Sequence, residues 1–301
     1  MLSAILLAGA MIFVTPYQHE APLIRAMQTN DHAGGRLDLN VYELTDHHLE
    51  QALLDQAAAG VHVRILLAGH PYRGGYIVRE ERTFCSRSPL ITCRNAPSRF
   101  TYDHAKYAVF GDQDVCLGTA NWTYDAFHRN REYIYCTQND AVVRAAEQVF
   151  QSDWTGVPAG RGPRGALVLS PGASGVFESL LGRPGPLRIE AEEMGYLRGI
   201  DRLIESHGSV AKIILPSSAR GRDNSALSRL IAHGVQVRYL SHPYMHAKLI
   251  LCGNLAFVGS QNFSWTSLHK NREVGVLIRD PNMIDGLARQ FTSDWSKAVS
   301  P

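Results

Sequence analysis

A segment in the first half of the chain comes back near its end, and no other feature limits the possible folds as strongly. Tyr102-Asp103-His104-Ala105-Lys106 recurs as Tyr244-Met245-His246-Ala247-Lys248. Gly118-Thr119-Ala120-Asn121 is answered by Gly259-Ser260-Gln261-Asn262, Asn130-Arg131-Glu132 by Asn271-Arg272-Glu273, and Phe150-Gln151-Ser152-Asp153-Trp154 by Phe291-Thr292-Ser293-Asp294-Trp295. From Gly118 to Trp154 the second copy keeps one offset of 141 residues, Gly118 to Gly259 and Trp154 to Trp295. Upstream the match is looser: Phe13-Val14-Thr15-Pro16 pairs with Val168-Leu169-Ser170-Pro171, and Gly60-Val61-His62-Val63-Arg64 with Gly234-Val235-Gln236-Val237-Arg238. Chance repeats single tripeptides, not a series of landmarks in order, so the chain reads as a duplicated domain.

Apolar β-branched runs alternate with helical patterns in both halves. Leu37–Leu44 and Val61–Leu67 read as buried strands around a helix over Asp46–Ala59, opened by Thr45 or Asp46. Lys106–Phe110, Val115–Leu117 and Glu132–Cys136 supply further strands before a helix over Ala141–Trp154. The second half repeats the scheme, ending in a helix over Met283–Trp295. Continuous apolar strands separated by helices predict α/β sheets covered on both faces. The expected boundaries are a first repeat over 1–155, a Gly/Pro-rich linker over 156–165 and a second repeat over 166–301. Val63 to His104 is far longer than Val237 to His246, so 72–100 reads as a basic insertion carrying Arg73, Arg79, Arg82, Arg87, Arg94 and Arg99. Gly160-Arg161-Gly162-Pro163-Arg164-Gly165 matches a dinucleotide-binding pattern but follows a helix and leads into a strand, the wrong context for that chemistry. The sequons at Asn121 and Asn262 have a better use inside the repeat.

A chain of 301 residues with 45% hydrophobic and 19% charged residues can bury one large or two moderate cores. Its formal charge of +2 weighs against a dedicated nucleic-acid binder. Cys85 and Cys93 bracket the basic segment, Cys116 and Cys136 fall on strands expected to be neighbours, and Cys252 has no evident mate. This usage favours an extracytoplasmic over a cytoplasmic setting. The apolar run Met1–Val14 is too short to span a bilayer and merges into the first strand; it reads as a weak export signal or as the start of the sheet.

Side chains two apart on an extended strand share a face, so each His-x-Lys sets an imidazole beside an ammonium, a pair suited to an anionic phosphoryl group. Lys106 and Lys248 would neutralise phosphoryl oxygens, Asn121 and Asn262 would donate further hydrogen bonds, and the hydroxyls of Thr119 and Ser260 would donate to a phosphoryl oxygen or to a carboxylate of the same network. One imidazole attacks phosphorus and the other protonates the leaving alkoxide. Glu132 lies 28 residues after His104 and Glu273 lies 27 after His246, positions from which an acid can hold an imidazole in one tautomer. No Cys or carboxylate stands at ligand spacing beside either motif, and Asp46-His47-His48 reads as a helix start. The chemistry is therefore expected to need no metal and no cofactor.

The paired His-x-Lys, downstream Gly-(Ser/Thr)-x-Asn and later acid resemble the phospholipase D superfamily, over nearly the whole chain from Phe13 to Trp295. The resemblance implies two tandem pseudo-symmetric α-β-α sandwich domains with the active site at their interface. It also implies catalytic roles for His104, Lys106, Asn121, Glu132, His246, Lys248, Asn262 and Glu273, with His104 as nucleophile. The family usually has Asp five residues after the Lys; here Gly111 and Gly253 stand there, and Lys248 to Gly259 is one residue shorter than Lys106 to Gly118. Both departures fall where a turn between strands is expected. The implied activity is cleavage or transfer of phospholipid headgroups through a phosphohistidine, with peripheral membrane contact and a monomer, since both half-sites lie in one chain. The alternatives are a metal-independent endonuclease, with Tyr72, Tyr76 and Phe100 stacking bases beside the arginines, and a non-catalytic phosphate-binding module.

Overall fold

The computed structural model describes residues 5–7, 9–29, 33–71, 74–220 and 225–301. In chain order the first half runs β1 (Ile5–Leu7), β2 (Ala10–Val14), α1 (Ala21–Thr29), β3 (Arg36–Val41), α2 (His47–Ala58), β4 (His62–Leu67), α3 (Gly75–Cys85), β5 (Ile91–Asn95), β6 (Tyr107–Phe110), β7 (Asp114–Gly118), α4 (Tyr124–His128), β8 (Asn130–Arg131), β9 (Tyr133–Thr137) and α5 (Asp140–Thr155). The second half runs β10 (Val168–Ser170), α6 (Ser174–Leu181), β11 (Leu187–Ala191), α7 (Arg198–Ser206), β12 (Ala211–Pro216), α8 (Ser225–Ala232), β13 (Gln236–Leu240), β14 (Tyr244–Met245), β15 (Lys248–Cys252), β16 (Leu255–Gly259), α9 (Trp265–His269), β17 (Glu273–Ile278) and α10 (Pro281–Lys297).

Two large mixed sheets result, as the α/β reading expects. Their orders are β1-β2-β9-β7-β6-β3-β4-β5 and β10-β17-β16-β15-β11-β12-β13, identical apart from the extra edge strand β1. Alternation along the strands divides the core into three layers. Tyr107 and Val109 of β6 join Leu249 and Leu251 of β15 in a central cluster shared by both sheets and by α5 and α10. Ala108 and Phe110 face an outer cluster belonging to the first half, and Ile250 and Cys252 face the corresponding one in the second. Covering both faces of each sheet explains the nearly continuous apolar runs.

The topology corrects one feature of the sequence reading: residues 72–100 are not an insertion. Helix α3 and strand β5 occupy the places of α8 and β13, each an edge strand parallel to its neighbour. Side chains agree: Arg94 of β5 lies over the Trp154 ring and donates to the Trp154 carbonyl at 3.1 Å, while Arg238 of β13 does the same to Trp295 at 2.8 Å. The match of Gly60–Arg64 to Gly234–Arg238 therefore joins non-equivalent strands. Both glycines terminate a helix with positive φ, 92° and 89°, and each is followed by a parallel strand, which makes the two segments look alike. Strand β5 escaped notice because only Ile91 of its five residues is buried. Tyr72 and Arg73 lie outside the described residues, as do Met1–Ala4 and Ala8 of the N-terminal run.

Other local expectations hold. Asp46 caps α2, accepting from the His48 and Leu49 amides at 3.1 and 3.0 Å. Gly111 and Gly253 sit in the β6–β7 and β15–β16 hairpin turns with φ of 61° and 59°, where a β-carbon would be strained. Disulfides join Cys85 to Cys93 and Cys116 to Cys136, and Cys252 is buried as a free thiol. The Gly160–Gly165 segment holds one 3₁₀ turn, Gly162–Gly165, and opens no α-helix. Among the described residues, no helix is long and apolar enough to cross a membrane.

Candidate active site

The segments that precede the two histidines each pair with the other half. Tyr244-Met245 runs parallel to Asn130-Arg131, and Asp103 bridges to Arg272, with the His104 amide donating to the Arg272 carbonyl at 2.9 Å. Each imidazole is thereby delivered to the acid of the opposite repeat. His104 Nδ1 lies 2.9 Å from Glu273 Oε2, and His246 Nδ1 lies 2.7 Å from Glu132 Oε1. Sequence order had placed each Glu downstream of the His in its own half; space pairs them crosswise.

The arginines beside these acids cross as well. Arg131, fully buried, pairs with Asp294, and Arg272 pairs with Asp153, both at 2.7 Å. This accounts for the repeated Asn-Arg-Glu and Ser-Asp-Trp landmarks: they are the two ends of interlocking bridges between halves. These bridges leave Glu132 and Glu273 to the histidines. Both carboxylates are fully buried and held from behind. Thr119 Oγ1 donates to Glu132 Oε2 at 2.5 Å, and Ser267 Oγ and Asn271 Nδ2 donate to Glu273 Oε1 at 2.7 and 3.0 Å. Burial alone would raise Glu273, but His104 and Lys106 hold its carboxyl below the usual range.

The two lysines are buried beside their histidines, each donating to the carbonyl of the residue two before it at 2.7 Å. Burial pushes the Lys106 ammonium down to about 8, although Glu273 pulls the other way. Burial also lowers the His104 imidazole, against the opposing pull of Glu273. Burial and the neighbouring Lys106 charge favour the neutral form of the His104 imidazole. Tyr42 packs edge-on against His104 at 4.8 Å and offers its ring to Lys106.

Three carboxylates border these cations, and sequence reasoning missed them. Glu192 lies 2.8 Å from Lys248 Nζ and 3.2 Å from His246 Nε2. Burial would raise Glu192, but His246 and Lys248 hold it far below the usual carboxylate range. Burial raises Glu43, against Lys106 and His246, and burial and Glu192 together raise Glu193. The signal was present as an acid two residues past β3 and past β11, Glu43 before Leu44 and Glu193 before Met194, which bridge to the corresponding Trp122 and Phe263, but the flanking residues differ too much for the match to stand out.

Of the residues expected on a phosphoryl group, Lys106, Lys248 and Asn121 converge on this region. Asn121 Nδ2 donates to Glu43 Oε2 at 3.2 Å, and the carbonyl oxygens of both Asn121 and Asn262 are buried without a hydrogen-bond partner. Of the two partners expected for Thr119 and Ser260, a phosphoryl oxygen or a carboxylate, the structure gives the carboxylate. Both are wholly buried on the strand side, Thr119 bonded to Glu132 and Ser260 accepting from the Val274 amide, so they brace the acids instead of facing a ligand. The arginines of 72–100 are also engaged elsewhere in part: Arg94 with Trp154, and Arg99 with Asp153 at 2.6 Å.

A family model described as cardiolipin synthase, PLD-like domain matches residues 27–154 and 198–295. The chain is similar to a mitochondrial cardiolipin hydrolase of Xenopus laevis, 38% identical over 118 residues, covering 39% of this chain and 54% of that protein. It spans about half the length of the cardiolipin hydrolases it matches. Among solved structures, a phosphatidylserine synthase of Haemophilus influenzae superposes with a TM-score of 0.70 at 13% identity, over 99% of this chain and 88% of that one. A polyphosphate kinase of Porphyromonas gingivalis superposes at 0.72 with 14% identity, over 95% of this chain and 50% of its own. At such identities the superpositions speak to the fold alone.

Proposed function

The chain belongs to the family described as cardiolipin synthase, PLD-like domain, and from that premise we propose that it is a metal-independent phosphodiesterase that cleaves or transfers phospholipid headgroups through a phosphohistidine. The observation that carries this reading is the crossed arrangement of His104 on Glu273 and His246 on Glu132, with both lysines buried beside them.

The environments of the two imidazoles differ in a way that supports different roles for them. His104 has a carboxylate on Nδ1 only, and burial favours its neutral form, leaving Nε2 with a lone pair for phosphorus. His246 has a carboxylate within ion-pair distance of each ring nitrogen, Glu132 at Nδ1 and Glu192 at Nε2, surroundings suited to the positive charge that a general acid carries. His104 is then the nucleophile and His246 the acid. As the N–P bond forms, the P–O bond to the leaving group breaks and His246 passes its Nε2 proton to the departing oxygen. His246, now neutral, takes a proton from water or an alcohol, whose oxygen attacks phosphorus and releases His104. Lys106, Lys248 and Asn121 stabilise the phosphoryl oxygens. Glu192 occupies the anion position beside Lys248 and yields it when a phosphoryl group binds.

The three bordering glutamates favour lipid over nucleic acid. A nucleic-acid strand carries phosphates on both sides of the scissile one and would meet Glu43, Glu192 and Glu193; a phospholipid with a single diester, such as phosphatidylcholine, carries only the phosphate to be cleaved. Tyr124 and Trp265, each three residues beyond a motif asparagine, are more than half exposed and supply an amphipathic rim suited to a membrane surface. Two disulfides support an extracytoplasmic setting, and one chain suffices for a monomer.

The test is an assay in chelator against mixed phospholipid vesicles with ethanol present, beside a labelled DNA strand, with His104→Ala as control. Phosphatidic acid together with phosphatidylethanol is the expected product pair, reporting a covalent enzyme intermediate. Cleavage of DNA alone would transfer the same residues to a nuclease, and inactivity toward both would return the fold to phosphate binding.

A further inference from the structure

We propose that His19, Glu20 and His128 form a binding site for a divalent transition ion of the zinc class, separate from the phosphodiester chemistry. One donor atom from each of the three lies within 4.8 Å of the others. They come from two segments far apart in sequence: the turn between β2 and α1 brings His19 and Glu20, and the last residue of α4 brings His128. Nitrogen from two imidazoles and oxygen from one carboxylate is the donor chemistry of zinc, whose ligands stand about 2.0–2.2 Å from the ion. Small side-chain rotations close the remaining gap, and a water completes four-coordination.

Two observations point to a ligand here. Glu20 is only 8% exposed, and its Oε2 is buried without a hydrogen-bond partner. His128 Nε2 is buried in the same condition, and the two atoms face one another at 3.2 Å without alignment for a hydrogen bond. His19 is, among the described residues, the one non-glycine residue with positive φ, 48°, a conformation that turns its ring to within 4.3 Å of the His128 ring. The other Glu20 oxygen is braced by His48 Nδ1 at 2.5 Å, the kind of outer partner that orients a ligating carboxylate. An ion has a route in, because His128 also lines a cleft of about 870 Å³ between the halves, beside Tyr17, Arg129 and Tyr244.

Such an ion would pin the end of α4 to the start of α1. Arg129 and Asn130 follow directly, and Asn130 is the residue whose strand pairs with Tyr244 to deliver His246. The role is therefore to hold the scaffold, and the reaction itself passes through no metal.

The experiment uses the full chain, stripped with chelator and dialysed, titrated with ZnCl2 by calorimetry, with bound metal counted by elemental analysis and Co2+ as spectroscopic probe. Expected are one Zn2+ per chain, a Zn2+-dependent rise in melting temperature, and intense visible ligand-field absorption from four-coordinate Co2+. Glu20→Gln and His128→Asn should each weaken Zn2+ binding at least tenfold and abolish the rise, and His19→Asn, which tolerates positive φ, should behave likewise. Absence of stoichiometric Zn2+ in the wild-type protein would overturn the proposal, as would equal affinity in wild type and variants, which would put the ion elsewhere. The wild-type Co2+ spectrum decides alone if a variant fails to fold. Diesterase activity that persists in chelator leaves this proposal intact, and loss of the site in variants leaves the diesterase reading intact.

Discussion

Replacing Glu273 by Gln tests the crossed wiring at its most specific point. Glu273 Oε1 already accepts from Ser267 Oγ and Asn271 Nδ2, at 2.7 and 3.0 Å. An amide at this position must keep its oxygen toward those two donors, so its NH2 faces His104 Nδ1, where the carboxylate oxygen now lies at 2.9 Å. The NH2 donates to Nδ1 and drives the ring proton to Nε2, the atom needed for attack on phosphorus. The variant also loses the anion that stabilises the imidazolium-like charge formed in the transition state. With charge centres about 4 Å apart and an effective dielectric constant of about 20, that loss is about 4 kcal/mol, about three powers of ten in rate. The assay is single-turnover formation of phosphoenzyme from a diester with an activated leaving group, trapped by acid-free quench and followed for wild type, Glu273→Gln and Glu132→Gln. Glu273→Gln should nearly abolish the trapped species, whereas Glu132→Gln should form it and slow its breakdown, because Glu132 serves His246 and an activated leaving group needs no proton. The reasoning is refuted if Glu132→Gln loses phosphoenzyme formation while Glu273→Gln retains it, the pattern demanded by pairing within each half.

Other consequences follow from the same geometry. Asp294→Ala leaves the fully buried Arg131 guanidinium without its anion and should destabilise the chain by about 3–5 kcal/mol in urea unfolding; a loss under about 1 kcal/mol would contradict this. The pH profile of kcat/KM should be bell-shaped, rising on the acid side of the usual imidazole range as His104, whose imidazole is lowered by burial, sheds its proton, and falling near 8 as Lys106 loses its ammonium charge. Lys106→Arg, which does not titrate there, should move the alkaline limb upward in whatever activity remains. Glu192→Gln removes the carboxylate that competes for Lys248 and should tighten vanadate binding about tenfold, about 1.4 kcal/mol; weaker binding would mean that Glu192 supports the anion site. Reduction of the Cys116–Cys136 disulfide should cost about 3 kcal/mol of stability by the loop-closure relation, visible as a lower melting temperature in dithiothreitol.

Much of this arrangement was legible in the sequence because the duplication writes each important position twice. His104, Lys106, Asn121 and Glu132 stand out against their copies without any knowledge of the fold, and strand and helix boundaries follow from apolar runs and from caps such as Asp46. Strand β5 was less visible, since an edge strand with one buried residue has no hydrophobic pattern to read, and the helix-ending glycines Gly60 and Gly234 drew the alignment onto the wrong pair of strands. Glu43 and Glu193 do answer one another, each just before a residue that bridges to the aromatic after a motif asparagine, but their neighbours differ too much for one matched acid to stand out, Glu192 answers Tyr42, and the metal-type cluster around Glu20 joins residues more than a hundred positions apart.

The sequence by itself determined that there are two half-sites, which residue types they hold and that each is built on an α/β unit, because residue identity and local periodicity are one-dimensional properties. The tertiary structure decided which His meets which Glu. Glu132 and Glu273 could each close on the imidazole of their own repeat at comparable chain distance. Only the short parallel pairing of Tyr244-Met245 with Asn130-Arg131, and of Asp103 with Arg272, sends each carboxylate across the interface. The buried Arg131–Asp294 and Arg272–Asp153 bridges then hold that exchange in place, because separating the halves would leave charges stranded in a dry core.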